Sequence, residues 1–160
     1  MPTSRKNQKS PKQKLLESSL RFLSHRPRSR SELTTYLERK TSDSDLIDQV
    51  LHELDELGFI NDQKFAAWLI RSRLKHNQKG SIFLKYKLKR FGIGRDLIST
   101  SIADIDDSTW IQAARDLLAK KRLLPTPKPT YQQKAKAYNY LKSRGFESST
   151  ITRAIDEKDY

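Results

Sequence analysis

Basic side chains are the residues of this sequence with the clearest chemical capacity, and they concentrate between positions 71 and 100. This segment contains nine Lys and Arg residues and one acidic residue, Asp96. Such cations neutralise phosphates or carboxylates without reading a sequence. A solvated charged face is the alternative, but the near absence of acids favours a polyanion-binding face. Its candidate residues are Arg71, Arg73, Lys75, Lys79, Lys85, Lys87, Lys89 and Arg90.

The spacing of these cations indicates that helices position them. Arg71 and Lys75, like Lys85 and Lys89, are four residues apart and share a helical face. Trp68 and Phe83 have aromatic rings suited to base stacking, but their helical spacing is more typical of core residues.

A helix-turn-helix regulator is a weaker hypothesis for the same segment. Helices that read bases place polar and basic residues near the start of their second member. Here the second predicted helix has only Arg95 at its start, and the bases lie on the helix before it.

Catalytic and metal-binding chemistry is not indicated. The sequence has no cysteine, and its three histidines form no ligand pair. Asp104, Asp106 and Asp107 cluster without the glycine and distal glutamate of a calcium loop. Gly92-Ile-Gly94 lacks the third glycine of a dinucleotide turn. We therefore predict a protein that is not an enzyme, with no cofactor, metal or catalytic residue.

Composition limits the class of protein further. The 160 residues have a net charge of +13, 35% hydrophobic residues and a mean hydropathy of −0.80. No apolar run approaches the ~20 residues of a membrane span, and the first 14 residues lack the apolar core of a secretory signal. These features predict a soluble, cytoplasmic protein, which we expect to be a monomer.

An internal repeat organises the chain. Apolar positions recur at a shift of 51 residues and again at a shift of 53, in pairs with helical spacing. The first set, Leu33, Leu37, Ile47, Leu51 and Leu54, matches the second set, Leu84, Leu88, Ile98, Ile102 and Ile105. The third set is Ala137, Leu141, Ile151 and Ile155.

Each repeated pair of helices follows another amphipathic stretch, which makes three helices per unit. The leading stretches contain Leu16, Leu20 and Leu23, then Phe65, Trp68 and Leu69, then Trp110, Ala113, Ala114, Leu117 and Leu118. We predict an all-α fold of three tandem three-helix repeats in an elongated, curved arrangement. The repeats span residues 15–58, 59–106 and 107–160, after a flexible basic tail at 1–14.

Local signals place several helix ends. Ser29-x-x-Glu32 and Thr130-x-x-Gln133 have the spacing of capping boxes. Gly92 and Gly145 stand where a helix closes in the left-handed conformation, which glycine adopts without steric cost.

The order and spacing of several short stretches resemble the RecX regulatory proteins of bacteria. The stretches are Arg26-Pro-Arg-Ser-Arg-Ser-Glu-Leu33, Leu57-Gly-Phe-Ile-Asn-Asp62 with Phe65-Ala66, Lys79-Gly80, and Tyr140-Leu-Lys-Ser-Arg-Gly-Phe146 with Ile151 and Ala154-Ile155. Together they cover about residues 15–157. The resemblance implies three three-helix repeats that bind the RecA recombinase filament on DNA and inhibit its recombination and coprotease activities in DNA repair and the SOS response. A sequence-independent protein that binds single- or double-stranded nucleic acid without RecA is the alternative.

Overall fold

The computed structural model describes residues 8–76 and 78–156, and it confirms the all-α fold. These residues form nine α-helices and no strand. The helices are α1 (Pro11–Ser24), α2 (Arg30–Glu38), α3 (Ser44–Glu56), α4 (Asp62–His76), α5 (Ser81–Arg90), α6 (Arg95–Ala103), α7 (Asp107–Lys121), α8 (Tyr131–Ser143) and α9 (Ser148–Asp156). The chain divides into two compact units, Met1–Phe65 and Ala66–Tyr160.

The first unit packs α1, α2 and α3 around one apolar cluster. Ser29 and Asp43 cap α2 and α3 through their side-chain oxygens, and Ser29 and Glu32 form the predicted capping box. The caps satisfy amide groups that a helix start leaves without partners. The cluster consists of Leu15, Leu33, Leu37, Ile47, Val50, Leu51, Leu54 and Ile60.

Helix α1 differs from the prediction in its start and its register. It begins at Pro11, so the predicted flexible tail of residues 1–14 extends too far; residues 1–7 lie outside the described part. Ser10 forms a capping box with Gln13, and Pro11 has the fixed φ that suits a first helical position. Leu15 is buried, whereas Leu20, one of the three leucines named for the amphipathic stretch, is 39% exposed; the other two, Leu16 and Leu23, are partly buried against the cluster.

One apolar cluster of the second unit lies on α7, α8 and α9. All five apolar residues predicted to lead the third repeat, from Trp110 to Leu118, are buried. Leu74 of α4 also packs against this cluster. Thr130 and Gln133 form the second predicted capping box, at the start of α8.

Glycine ends two helices of this unit as predicted. Gly92 and Gly145 have φ values of 75° and 84°. Gly145 also packs directly on Phe83, because a Cβ at Gly145 would lie 2.6 Å from the Phe83 Cβ.

A contact between the α4–α5 loop and the α8–α9 turn links the second and third predicted repeats. The Gly80 N–H donates to the Arg144 carbonyl oxygen at 3.1 Å, and the Ile82 N–H donates to the Gly145 carbonyl oxygen at 3.0 Å. An added Cβ on Gly80 would overlap the Gly145 carbonyl and the Phe146 amide nitrogen. Gly80 is therefore required for this close approach of two backbones.

Candidate polyanion-binding face

The carboxyl-terminal half of α4 presents the first group of predicted cations. Arg71 and Lys75 are exposed, and Arg73 is partly buried. Arg73, Lys75 and His76 lie in the last turn. Positive charge there interacts favourably with the negative end of the helix dipole. The cations in the last turn of α4 therefore stabilise the helix while their charge stays available for a partner.

Helix α5 presents the second group. Lys85, Lys89 and Arg90 are exposed, and Lys87 is partly buried with its ammonium 5.6 Å from the Phe91 ring centroid. The Arg90 guanidinium lies 6.0 Å from the Tyr86 ring centroid. Lys87 and Arg90 thus extend over aromatic rings.

Two exposed apolar residues accompany these cations on α5. Ile82 is 47% exposed and Tyr86 is 60% exposed. The rings that the sequence offered for base stacking, although their spacing predicted core positions, were Trp68 and Phe83. Phe83 is partly buried against Gly145, so Tyr86 has the more accessible ring.

Lys85 has an internal partner that the sequence did not indicate. Its ammonium lies 3.1 Å from Glu147 Oε1, which also accepts a 2.9 Å hydrogen bond from the Ser81 hydroxyl. These contacts join the start of α5 to the turn before α9. Part of the Lys85 charge is therefore compensated within the protein.

The hydrogen bonds from Ser81 and Lys85 hold the pKa of the Glu147 carboxyl below its ordinary value of 4.5, although desolvation opposes them. A carboxyl whose pKa falls on folding stabilises the protein above its ordinary pKa, and this contribution is lost as the pH falls through the lowered pKa.

We expect Glu147→Gln to lower the free energy of unfolding by about 1 kcal/mol or less at pH 7, because both partners are substantially exposed. The difference from the unsubstituted protein should shrink as the pH falls below 4.5. Urea denaturation over this pH range measures it. The same comparison in a Ser81→Ala background should give a smaller pH-dependent difference; a difference that is independent of pH in both backgrounds would contradict the assignment.

A third group of cations surrounds the Gly80–Gly145 contact. Lys79 is partly buried, with its ammonium 4.5 Å from the Phe83 ring centroid. Burial, the Arg144 charge and the Arg73 charge lower the pKa of Lys79 below its ordinary value. Arg73 and Lys79 are thus close enough to repel each other, and Arg144 joins them from the third predicted repeat.

The sequence missed Arg144 and Glu147 because they lie more than fifty residues from the cations they accompany. The available signal was the two glycines, Gly80 and Gly145, each next to a cation. Helical spacing within one segment cannot show that these two glycines meet. Of the eight predicted residues, Arg73 acts electrostatically on Lys79, and Lys85 has an acidic partner.

The residues considered for metal chemistry form no metal site in the described part of the chain. No group of three or more His, Asp or Glu side chains is placed there to hold an ion. Asp107 instead lies 3.5 Å from the Arg153 guanidinium, and Asp106 precedes α7 at its N-cap position.

Among the helices described, none combines the length and the apolar character of a membrane span.

The fold defines a class: an all-α protein of three-helix units with a cationic surface on α4 and α5. Three family models match it, for the first, second and third three-helix domains of RecX, over residues 16–54, 61–102 and 110–155. The chain belongs to the RecX family of regulatory proteins.

Individual relatives cover most of the chain. Regulatory protein RecX of Chlorobium phaeobacteroides strain BS1 is 33% identical over 145 residues, which cover 90% of this chain and 93% of that protein. The Deinococcus radiodurans protein of the same name is 33% identical over 156 residues, which cover 98% of this chain and 74% of that protein. Some relatives are longer: the chain spans 55% of RecX from Geobacillus sp. strain WCH70, at 29% identity.

Solved structures support the fold. The crystal structure of RecX from Lactobacillus salivarius matches with a TM-score of 0.80 at 22% identity, covering 90% of this chain and 94% of that one. A second crystal structure, of a regulatory protein RecX, gives a TM-score of 0.76 at 23% identity; the match covers 91% of this chain and 72% of that one.

Proposed function

We propose that this protein is a non-enzymatic regulator that binds RecA filaments on DNA and inhibits the recombination and coprotease activities of RecA. It would act in the cytoplasm, in DNA repair and the SOS response. The observation that supports binding most directly is the exposed positive charge of Arg71, Lys75, Lys89 and Arg90, in a segment with Asp96 as its one acid. Family membership supports a regulatory role.

The mechanism we propose is electrostatic docking followed by contact at several points. A positive face attracts the polyanionic filament and raises the association rate. When one unit is bound, the units linked to it encounter neighbouring filament subunits at a high effective concentration. An assembled filament should therefore be bound more tightly than a free RecA monomer.

The alternative function is sequence-independent binding of nucleic acid without RecA. Tyr86 favours it, because its ring is 60% exposed and Arg90 lies beside it. Aromatic rings stack on unpaired bases of any sequence, and neighbouring cations contact the backbone.

One titration separates the two functions. The protein is added at the same salt concentration to preformed RecA filaments on a fluorescent single strand and to the naked strand, and its affinity for each is measured. We expect filaments to be bound about a hundredfold more tightly, a gain typical of linked contacts, with a matching fall in RecA-catalysed ATP hydrolysis. Equal affinities, with no effect on hydrolysis, would contradict RecA regulation and favour the alternative.

A further inference from the structure

The Gly80–Gly145 contact fixes two cations from distant parts of the chain next to each other. Lys79 directly precedes Gly80, and Arg144 directly precedes Gly145. The 3.1 Å hydrogen bond from the Gly80 N–H ends on the carbonyl oxygen of Arg144 itself. The backbone positions from which both side chains start are therefore held together.

Arg73, near the end of α4, adds a third cation. Its charge acts on Lys79, and its Nε is buried with no hydrogen-bond partner among residues 8–76 and 78–156. In the described part of the chain, neither Arg73 nor Lys79 forms an ion pair with a carboxylate. A buried donor without a partner and like charges held together both cost free energy.

An anion bound among the three side chains would offset the repulsion between their charges. Guanidinium groups donate several hydrogen bonds in fixed directions, and an ammonium group adds a point charge. A backbone phosphodiester carries its charge on two non-bridging oxygens of a tetrahedral phosphorus, which donors from several directions can reach, whereas a planar carboxylate pairs best with one guanidinium. The chemistry of the cluster therefore favours phosphate.

We propose that Arg73, Lys79 and Arg144 form a binding site for one phosphate group of a nucleic-acid backbone. The choice of nucleic acid as the occupant rests on the proposed function. The site lies at the junction of the second and third predicted repeats, and it contains one residue, Arg144, outside the predicted face. It differs from the exposed cations of α4 and α5 because it is built to hold a single group.

The test measures how salt weakens binding to a fluorescent oligothymidylate. Each phosphate contact to a single strand contributes about 0.7 to the slope of log affinity against log salt. Arg73→Gln, Lys79→Gln and Arg144→Gln should each lower the slope by up to about 0.7. Because the three share one phosphate, combining them should lower the slope no further than about 0.7, rather than threefold more. Lys120→Gln, exposed on α7, is the control and should leave the slope unchanged.

Thermal stability without DNA separates a binding role from a structural one. Lys79→Gln relieves repulsion from Arg73 and Arg144, so its melting temperature should equal or exceed that of the unsubstituted protein. A marked fall would indicate a structural role and overturn the proposal. Lys79→Arg, which keeps the charge, should restore the slope that Lys79→Gln loses.

The remaining outcomes distinguish this site from the proposed function. Unchanged slopes in all three variants would overturn the site, whatever the affinity for filaments. If the three variants keep the salt slope of DNA binding but no longer bind filaments, the cluster binds an acidic protein surface and not DNA. Lowered slopes in a protein that does not prefer filaments would support the site and contradict RecA regulation.

Discussion

Replacing Gly80 with alanine is expected to lower the free energy of unfolding by about 3 kcal/mol or more. The new methyl group would overlap the Gly145 carbonyl and the Phe146 amide nitrogen, which belong to backbone and cannot rotate away. Forced overpacking typically costs about 1–3 kcal/mol. Separating the two segments would also break the hydrogen bonds to the Arg144 and Gly145 carbonyl oxygens, at about 1 kcal/mol each.

Gly94→Ala provides a matched control. Gly80 and Gly94 are both N-cap residues with extended backbones, at φ values of −77° and −66°, and neither makes a side-chain cap. A Cβ on Gly94 meets no atom within 4 Å. We expect Gly94→Ala to change stability by less than about 1 kcal/mol. Urea denaturation measures both variants, and equal effects would show that the close backbone approach does not limit residue 80.

Reversing the exposed charges of the second repeat is expected to abolish inhibition of RecA filaments while preserving helicity. The variant replaces Arg71, Lys75, Lys89 and Arg90 with glutamate. If all four contact single-stranded DNA phosphates, the salt slope of binding should fall by about 3. Contacts to carboxylates on the filament would give a weaker salt dependence, because no condensed counterions are released.

Lys85 is left out of this variant for a structural reason. Its ammonium lies 3.1 Å from Glu147, so glutamate at position 85 would place two carboxylates together at the contact between α5 and the turn before α9. A loss of RecA inhibition in such a variant would then have two causes, the loss of a binding cation and the disruption of this contact. The four residues chosen are exposed, and circular dichroism should show no change in helicity.

The matched control reverses four exposed lysines of the third predicted repeat. Lys120, Lys121, Lys128 and Lys136 are all exposed, and their replacement by glutamate changes the net charge by the same amount. We expect this variant to retain most inhibition of RecA ATP hydrolysis. If both quadruple variants lose inhibition equally, net charge alone determines binding, and a localised docking face is wrong.

The sequence was sufficient for features that depend on neighbouring residues. Apolar side chains three or four positions apart mark a helical face because one turn takes 3.6 residues. The capping boxes at Ser29 and Thr130 and the left-handed turns at Gly92 and Gly145 likewise involve atoms only a few residues apart. The all-α class and these helix ends were therefore predictable.

The register of α1 shows where local patterns become ambiguous. Leu15 and Leu16 are adjacent and equally apolar, so spacing alone does not select the buried residue. The structure buries Leu15 together with Ser18 and Ser19. The small side chains of Ser18 and Ser19 let α1 pack closely on its neighbours. The spacing of apolar residues alone does not predict that serines are buried.

Only the tertiary structure decided which charged groups meet. Glu147 reaches Lys85 across 62 positions, and Arg144 acts on Lys79 from a different predicted repeat. Both meetings follow from two backbones approaching at Gly80 and Gly145, where neither segment has room for a Cβ and the second makes a left-handed turn. The sequence determined how many cations the chain has and the helices that carry most of them. Folding determined which are paired, which remain exposed and which converge, because charge interactions depend on distance in space.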